Sequence, residues 1–316
     1  MALLSTRGSA ALRNYGWGIS ASGNTIGLFF GGYTATNQSP NNTVSRVNAC
    51  LTLVGSQTSA GSSRRASAGS GNKVGCNAIM YGGFSGGLCS TATNTVTRIN
   101  KCGTAVGCQT SVGTSRGFFG GATVCCTAIF YAGYVCSTRY NTVTRINKCG
   151  TIVGSETGVG TGRAAIGGAK VGSNGMYYGG FNGSILNTVT RINKCGAIVG
   201  SETGVGTSRE GIGGADVCCA GIYYAGFNGG TYYAVADKIN KCGALVGSEH
   251  SAQGTARGGL AGVRVGCNPI FFGGFAGGGS CTYYNTATKL NTCLALVSEV
   301  NVSGATARGE VAGAGM

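Results

Sequence analysis

Acidic residues are scarce and unevenly placed in this 316-residue chain: eight occur in all, and no Asp or Glu precedes Glu156. Histidine is rarer still, with His250 alone. General acid–base chemistry needs carboxylates or imidazoles brought together, so no catalytic residue is assigned and a non-enzymatic protein is expected. Only 2 prolines occur, which excludes a collagen-like or Pro-rich disordered chain. Charged residues make up 10 %, against about 25 % in an ordinary soluble domain, so helices with solvated charged faces are not expected. No apolar run nears the roughly 18 residues of a membrane span. The apolar start is cut by Arg7, so neither a membrane span nor a signal peptide is predicted.

Glycine is abundant instead, at 62 residues, and apolar residues reach 42 %. That combination favours an all-β protein with a real core and a Gly/Ser/Thr surface. The net charge of +15 has an uneven origin. Residues 1–155 hold 12 Lys/Arg and no acid, while 156–316 hold 11 against 8 acids. The basic residues recur singly at repeat positions, so the excess reflects missing acids rather than a nucleic-acid groove.

Internal repetition is the dominant signal. An aromatic–Gly/Ala–Gly–aromatic segment, typified by Tyr178-Gly179-Gly180-Phe181, recurs six times at spacings of 46 to 51 residues. Each unit also carries an opening Arg such as Arg163 and a Thr-Val-Thr-Arg-Ile-Asn run such as Thr188 to Asn193. Four strand-like runs per unit fit a propeller blade. In the fourth unit they are read as Ala164 to Val171, Gly175 to Tyr178, Thr188 to Ile192 and Ala197 to Ser201. Glutamates 156, 202, 249 and 299 share one repeat position and are expected as partners of Arg at the surface or between blades. His250 follows such a Glu on an outer strand and reads as structural.

The double Gly after an aromatic strand, the strand ending in a polar residue and the Arg opening the next unit resemble the kelch repeat. The resemblance runs from about residue 24 to the end, with Asn48, Asn100, Asn147, Asn193, Asn240 and Asn291 where kelch has Asp, and without the kelch Trp. It implies a six-bladed kelch-like β-propeller over residues 23–316. After the sixth unit, Arg308 to Met316 copies an innermost-strand pattern, so the C-terminal strand is expected to complete blade one and close the ring. Residues 1–22, with Arg7, Arg13, Tyr15 and Trp17, then become a docking arm; the alternative makes Tyr15 to Ser20 the first inner strand.

Sixteen Cys are unusual without a signal peptide. One set, Cys50, Cys102, Cys149, Cys195, Cys242 and Cys293, falls between strands three and four. Another, Cys76, Cys126, Cys219 and Cys267, falls between strands one and two. Both sets share one face of the disc. They read as small buried turn residues, as same-blade disulfides (Cys76 with Cys102, Cys126 with Cys149, Cys219 with Cys242, Cys267 with Cys293), or as metal ligands. The absence of CxxC and of a neighbouring His argues against metal. The adjacent pairs Cys125-Cys126 and Cys218-Cys219 read as strand neighbours facing opposite ways. No metal or other cofactor is expected.

The connections after the Gly pairs vary most and share the opposite face. Their Tyr140, Tyr232, Tyr233, Tyr283 and Tyr284 suit contact with a sugar or protein surface. Near-copy Gly-rich repeats, a lone propeller and a small-residue arm with Arg and aromatics resemble structural proteins of tailed phages, in particular fibre proteins of cyanophages. The resemblance implies a virion structural or adhesion protein, docking through its arm on other virion proteins or on a second copy and facing a host glycan or protein. Alternatives are an intracellular kelch-type protein-binding scaffold, a capsid decoration or extracellular filament subunit, and a sugar-active enzyme.

Overall fold

The computed structural model describes residues 24–34, 39–66, 73–86, 91–252, 254–277 and 281–316. Among them the regular elements are all β, in six four-stranded antiparallel sheets arranged as the blades of a propeller. Blade four shows the plan, from the axis outwards: Gly167–Val171, Asn174–Tyr178, Thr188–Ile192 and Thr203–Gly204. The outermost strand lies beyond the expected Ala197 to Ser201. Ile198 makes only an isolated bridge to Ile192, then Gly200, at φ +69°, bends the chain, and pairing resumes where Thr203 meets Val189.

Blade one closes the ring with chain from both ends. Its innermost strand is Ala312–Gly315, paired with Ile26–Phe30, followed outwards by Asn41–Asn48 and Thr58–Arg64. The amide of Met316 donates to Ile26 O at 2.7 Å, and the amide of Ile26 donates back to Met316 O at 3.0 Å. This fills the inner position; the arm residues Arg7, Arg13, Tyr15 and Trp17 lie outside the described residues.

The core divides into six apolar clusters, one at each blade–blade interface. Blade six meets blade one through Val263, Ile270 and Phe272 against Phe29 and Val47, all essentially inaccessible to water. Burying a side chain of this size contributes about 1.5–3 kcal/mol, so the ring is sealed by the same apolar packing that joins consecutive blades. At the axis, glycine is required by close approach: a Cβ on Gly168 would stand 2.5 Å from Gly121 O, and one on Gly214 would stand 2.5 Å from Gly168 O.

A buried arginine enters each blade: Arg64, Arg116, Arg163, Arg209, Arg257 and Arg308, all inaccessible. Each guanidinium lies 5.3–5.9 Å from the ring of an aromatic residue in the preceding blade, such as Arg163 on Tyr131. It then donates forward into its own blade, as Arg163 Nη2 does to Thr190 Oγ1 at 2.6 Å and to Tyr177 O at 3.2 Å. The repeated glutamates complete this network. Glu156 lies 3.3 Å from Arg116, and Glu299 lies 3.2 Å from Arg257. Glu202 and Glu249 accept from Thr161 and Thr207 of the preceding blade. In blades one and two the same role falls to Gln57 and Gln109, which donate to Ser45 and Thr97, each at 2.6 Å. Arg308 and Arg64 therefore have no carboxylate partner, and burial lowers them to about 9 and about 10.

The face away from the aromatic segments carries the cysteines, which sit in turns as one reading had them. No disulfide occurs among the described residues, no group of three or more metal-binding side chains gathers there, and the turn cysteines are exposed rather than buried. The Asn at the end of each third strand builds the turn that presents them: Asn193 Oδ1 accepts from the amides of Cys195 at 2.9 Å and Ala197 at 3.1 Å, and its five equivalents do likewise. This short side chain satisfies backbone donors that would otherwise have no partner. Cys125-Cys126 and Cys218-Cys219 sit between the first and second strands, as turn residues rather than strand neighbours, with φ of 54° at Cys125 and 51° at Cys218.

Candidate functional site

On the aromatic face, two residues beyond each buried arginine, the chain turns through positive φ. The six positions are Ala66, Phe118, Ala165, Gly211, Gly259 and Glu310, with φ of 53–66°. This conformation points each amide at the blade before it, and the six form a closed circle of backbone hydrogen bonds of 2.6–3.0 Å: Phe118 donates to Ala66 O, and so on round to Ala66, which donates to Glu310 O. A five-blade arc would leave two ends of this circle unpaired; the C-terminal Glu310 completes it.

The residue after each Gly pair builds the rim. Tyr33, Phe84, Tyr134, Phe181, Phe227 and Phe275 are each held by an antiparallel bridge to the residue after the buried arginine. Phe84, Phe227 and Phe275 lean over the next blade, and a Cβ at Gly117, Gly258 or Gly309 would fall within 2.2–2.7 Å of their rings. The second Gly of each pair is a close-approach position: the Gly180 amide donates to Arg209 O at 2.9 Å, and its φ is +102°.

Rim and circle together enclose an axial cavity of about 330 Å³. Its apolar base includes Phe119, Ile166, Ile212, Leu260 and Val311, all buried. Three charged groups, Arg139, Glu210 and Glu310, line the cavity, and Arg65 adjoins it through Glu310. Arg65 lies 4.5 Å above the Tyr33 ring and 3.7 Å from Glu310; Arg139 lies 4.6 Å above the Phe181 ring. Burial pushes the Glu310 carboxyl up to about 7 against the opposing pull of Arg65, and burial likewise raises Glu210 against Arg139.

Two of the five loop tyrosines join this rim. Tyr232 packs 5.5 Å from Phe227 and 6.1 Å from Phe275, and Tyr283 packs 6.1 Å from Phe275 and 5.9 Å from Tyr33. Tyr140, Tyr233 and Tyr284 are half-buried and close the loops through their amides, which donate to Gly133, Gly226 and Gly274. His250 is exposed on the outermost strand of blade five, opposite Ala236. The charged groups were missed in the sequence because Arg65 and Glu210 interrupt a position held elsewhere by Gly or Ala, and Glu310 one held elsewhere by Ala, Gly or Phe; that exception to the repeat was the available signal.

Among the described residues no helix is long and apolar enough to cross a membrane. No protein-family model matches the chain, and no curated protein matches it significantly.

Proposed function

We propose that this chain is a non-enzymatic structural and adhesion protein of a virus particle, a phage tail-fibre or host-recognition component, which meets its target with the aromatic face and docks through residues 1–22. The kelch-like reading of the repeat belongs to the same proposal, supported by the Arg opening each unit and the paired Gly. The observation that carries the reading is the aromatic rim around an apolar axial cavity, set on a closed hydrogen-bonded circle. An apolar concavity with a few convergent polar groups is the usual form of a binding site, and a rigid circle spares the ordering cost of binding. The one histidine, His250, lies on the outermost strand of blade five and not in this lining.

Immunogold electron microscopy of the native source, combined with adsorption of the purified protein to host cells, tests this reading. The expected result is labelling at fixed copy number on particles, with adsorption reduced by the double variant Tyr232→Ala, Tyr283→Ala. Label confined to the cytoplasm, as for an intracellular scaffold, overturns it.

A further inference from the structure

We propose that the axial cavity binds an organic cation with an apolar body, an alkylammonium or arylamidinium group whose charge lies beside Glu310 and whose body rests on the apolar base. The inference rests on the reading of this face as a recognition surface and gives it a ligand class. Its starting point is Glu310 itself. Four of the other five positions in the hydrogen-bonded circle are Ala or Gly, so the fold has no need of a carboxylate there. Placing Glu at φ 56° on the axis costs backbone strain and desolvation together. Such costs persist where the group has a use.

The unmet hydrogen-bonding need points to a donor. Glu310 Oε2 is buried and has no hydrogen-bond partner. Arg65 neutralises it only from 3.7 Å, beyond hydrogen-bond distance, while stacked on Tyr33. The Nε atom of Arg139 in the lining also lacks a partner, but so do those of Arg46, Arg64, Arg65, Arg116 and Arg163, which lie outside the cavity lining. That feature is common to the arginines of this fold and does not distinguish the cavity. Glu210 adds a second carboxylate to the lining, and aromatic side chains add the attraction of their π faces for cations.

The cavity chemistry separates ligand classes. A sugar placed against Phe119, Ile166, Ile212, Leu260 and Val311 would leave hydroxyls without partners. A carboxylate would meet Glu310 and Glu210, since the one cation of the lining, Arg139, is stacked on Phe181 and already faces Glu210. A hydrocarbon or aryl body with a single cationic head satisfies both the base and the Glu310 carboxylate, and about 330 Å³ is within the range of small-molecule pockets.

Calorimetric titration of the full chain at pH 8 with hexylammonium and benzamidinium, beside hexanoate and glucose, tests the assignment. One cation is expected to bind per chain. Glu310→Gln should weaken binding at least about tenfold, the scale of one lost charged contact. Ala165→Phe should abolish it by filling the cavity; the circle already accepts Phe at position 118 with the same φ of 56°. Circular dichroism melting establishes that both variants are folded. Absence of cation binding to the folded protein, unchanged affinity in Glu310→Gln, or tighter binding of hexanoate or glucose overturns the proposal. A protein that adsorbs to host cells and ignores both cations overturns the cation assignment alone; one that binds the cations and is missing from particles overturns the virion reading alone.

Discussion

Arg209 and Asp237 form the one ion pair among the described residues in which both side chains are fully buried. The equivalent of Asp237 is Ser45, Thr97, Thr144, Thr190 or Thr288 in the other blades, where a hydroxyl accepts from the linker arginine. In blades three, four and six that hydroxyl also donates to the blade's glutamate. A carboxylate has no proton to donate, so in blade five Asp237 and Glu249 oppose each other beside a single guanidinium. Burial first, and then Glu249, push the Asp237 carboxyl up to about 6 against the pull of Arg209.

Asp237→Thr should therefore stabilise the protein by about 1–2 kcal/mol, because a hydroxyl serves both neighbours and removes a buried charge. Thr190→Asp should destabilise blade four by a similar amount. Urea midpoints at pH 7 measure both. A loss of stability in Asp237→Thr would show that the acid is needed to hold Arg209.

Gln109→Glu and Gln57→Glu supply carboxylates to the networks of Arg64 and Arg308, which burial has lowered to about 10 and about 9. Each should add about 1 kcal/mol, since a charge-assisted contact replaces a neutral one. Thermal melting of the single variants and the double variant tests whether the gains add. The two glutamines share no hydrogen-bond partner, so near-additivity is expected.

Stability should pass through a maximum on the acid side of neutrality. Burial raises Glu156, Glu202, Glu249 and Glu299, but hydrogen bonds from threonines outweigh it and leave all four carboxyls low. Their contribution is present above the unfolded value of about 4.3 and is lost as pH falls through their lower folded values. Glu310, facing Arg65 and near Tyr33, Tyr283 and Cys281, acts in the opposite sense at about 7, as does Asp237, facing Arg209, Glu249 and Tyr178, at about 6. Each binds its proton more tightly when folded, so stability falls as pH rises from about 4.3 through these values. For Glu310 the loss is at most about 4 kcal/mol. Melting temperatures from pH 3 to 9 should peak near pH 5, and Glu310→Gln should flatten the neutral limb; a monotonic rise to pH 8 contradicts this balance.

Six units, the double Gly and the closing strand were legible because each is a backbone requirement repeated at constant spacing. Gly180 must admit a neighbouring carbonyl, and Ala312–Gly315 copies the inner-strand pattern of other blades. The glutamates' partnership with arginine was legible for the same reason. The cavity was not, because its floor is set by a position, two beyond the arginine, that changes from unit to unit, and its convergence on the axis depends on positive φ at Ala66, Phe118 and Glu310, residues whose side chains do not announce it. The cysteines misled through composition: their type suggests burial or bonding, whereas Asn193 and its equivalents hold the turns open to water without help from sulfur.

Thirteen described cysteines are exposed, among them Cys50, Cys102, Cys149, Cys195, Cys242 and Cys293. A thiol reagent should label all thirteen in the native protein, and a reductant should leave the melting temperature unchanged. A drop on reduction of the size expected for a disulfide, about 2–4 kcal/mol, would show that a bond forms in solution.

Deleting Arg308 to Met316 should unfold the whole ring rather than fray one edge. The segment carries the buried Arg308, which donates to Phe29 O and Thr43 O, and Val311 in the interface between blades six and one. It also carries Glu310, whose amide and carbonyl form two of the six links in the axial circle, and the strand that pairs with Ile26–Phe30. Losing it leaves the paired edge of Ile26–Phe30 without partners and exposes apolar side chains of two blades. Unsatisfied backbone groups cost about 1–3 kcal/mol each, so four or five of them match the entire stability of an ordinary domain. The distinguishing measurement is hydrogen exchange: global loss of protection in blades three and four, remote from the cut, is expected. A truncated chain that keeps protection there and loses it only in blades one and six would mean that blades fold independently and that the circle of hydrogen bonds adds little cooperativity.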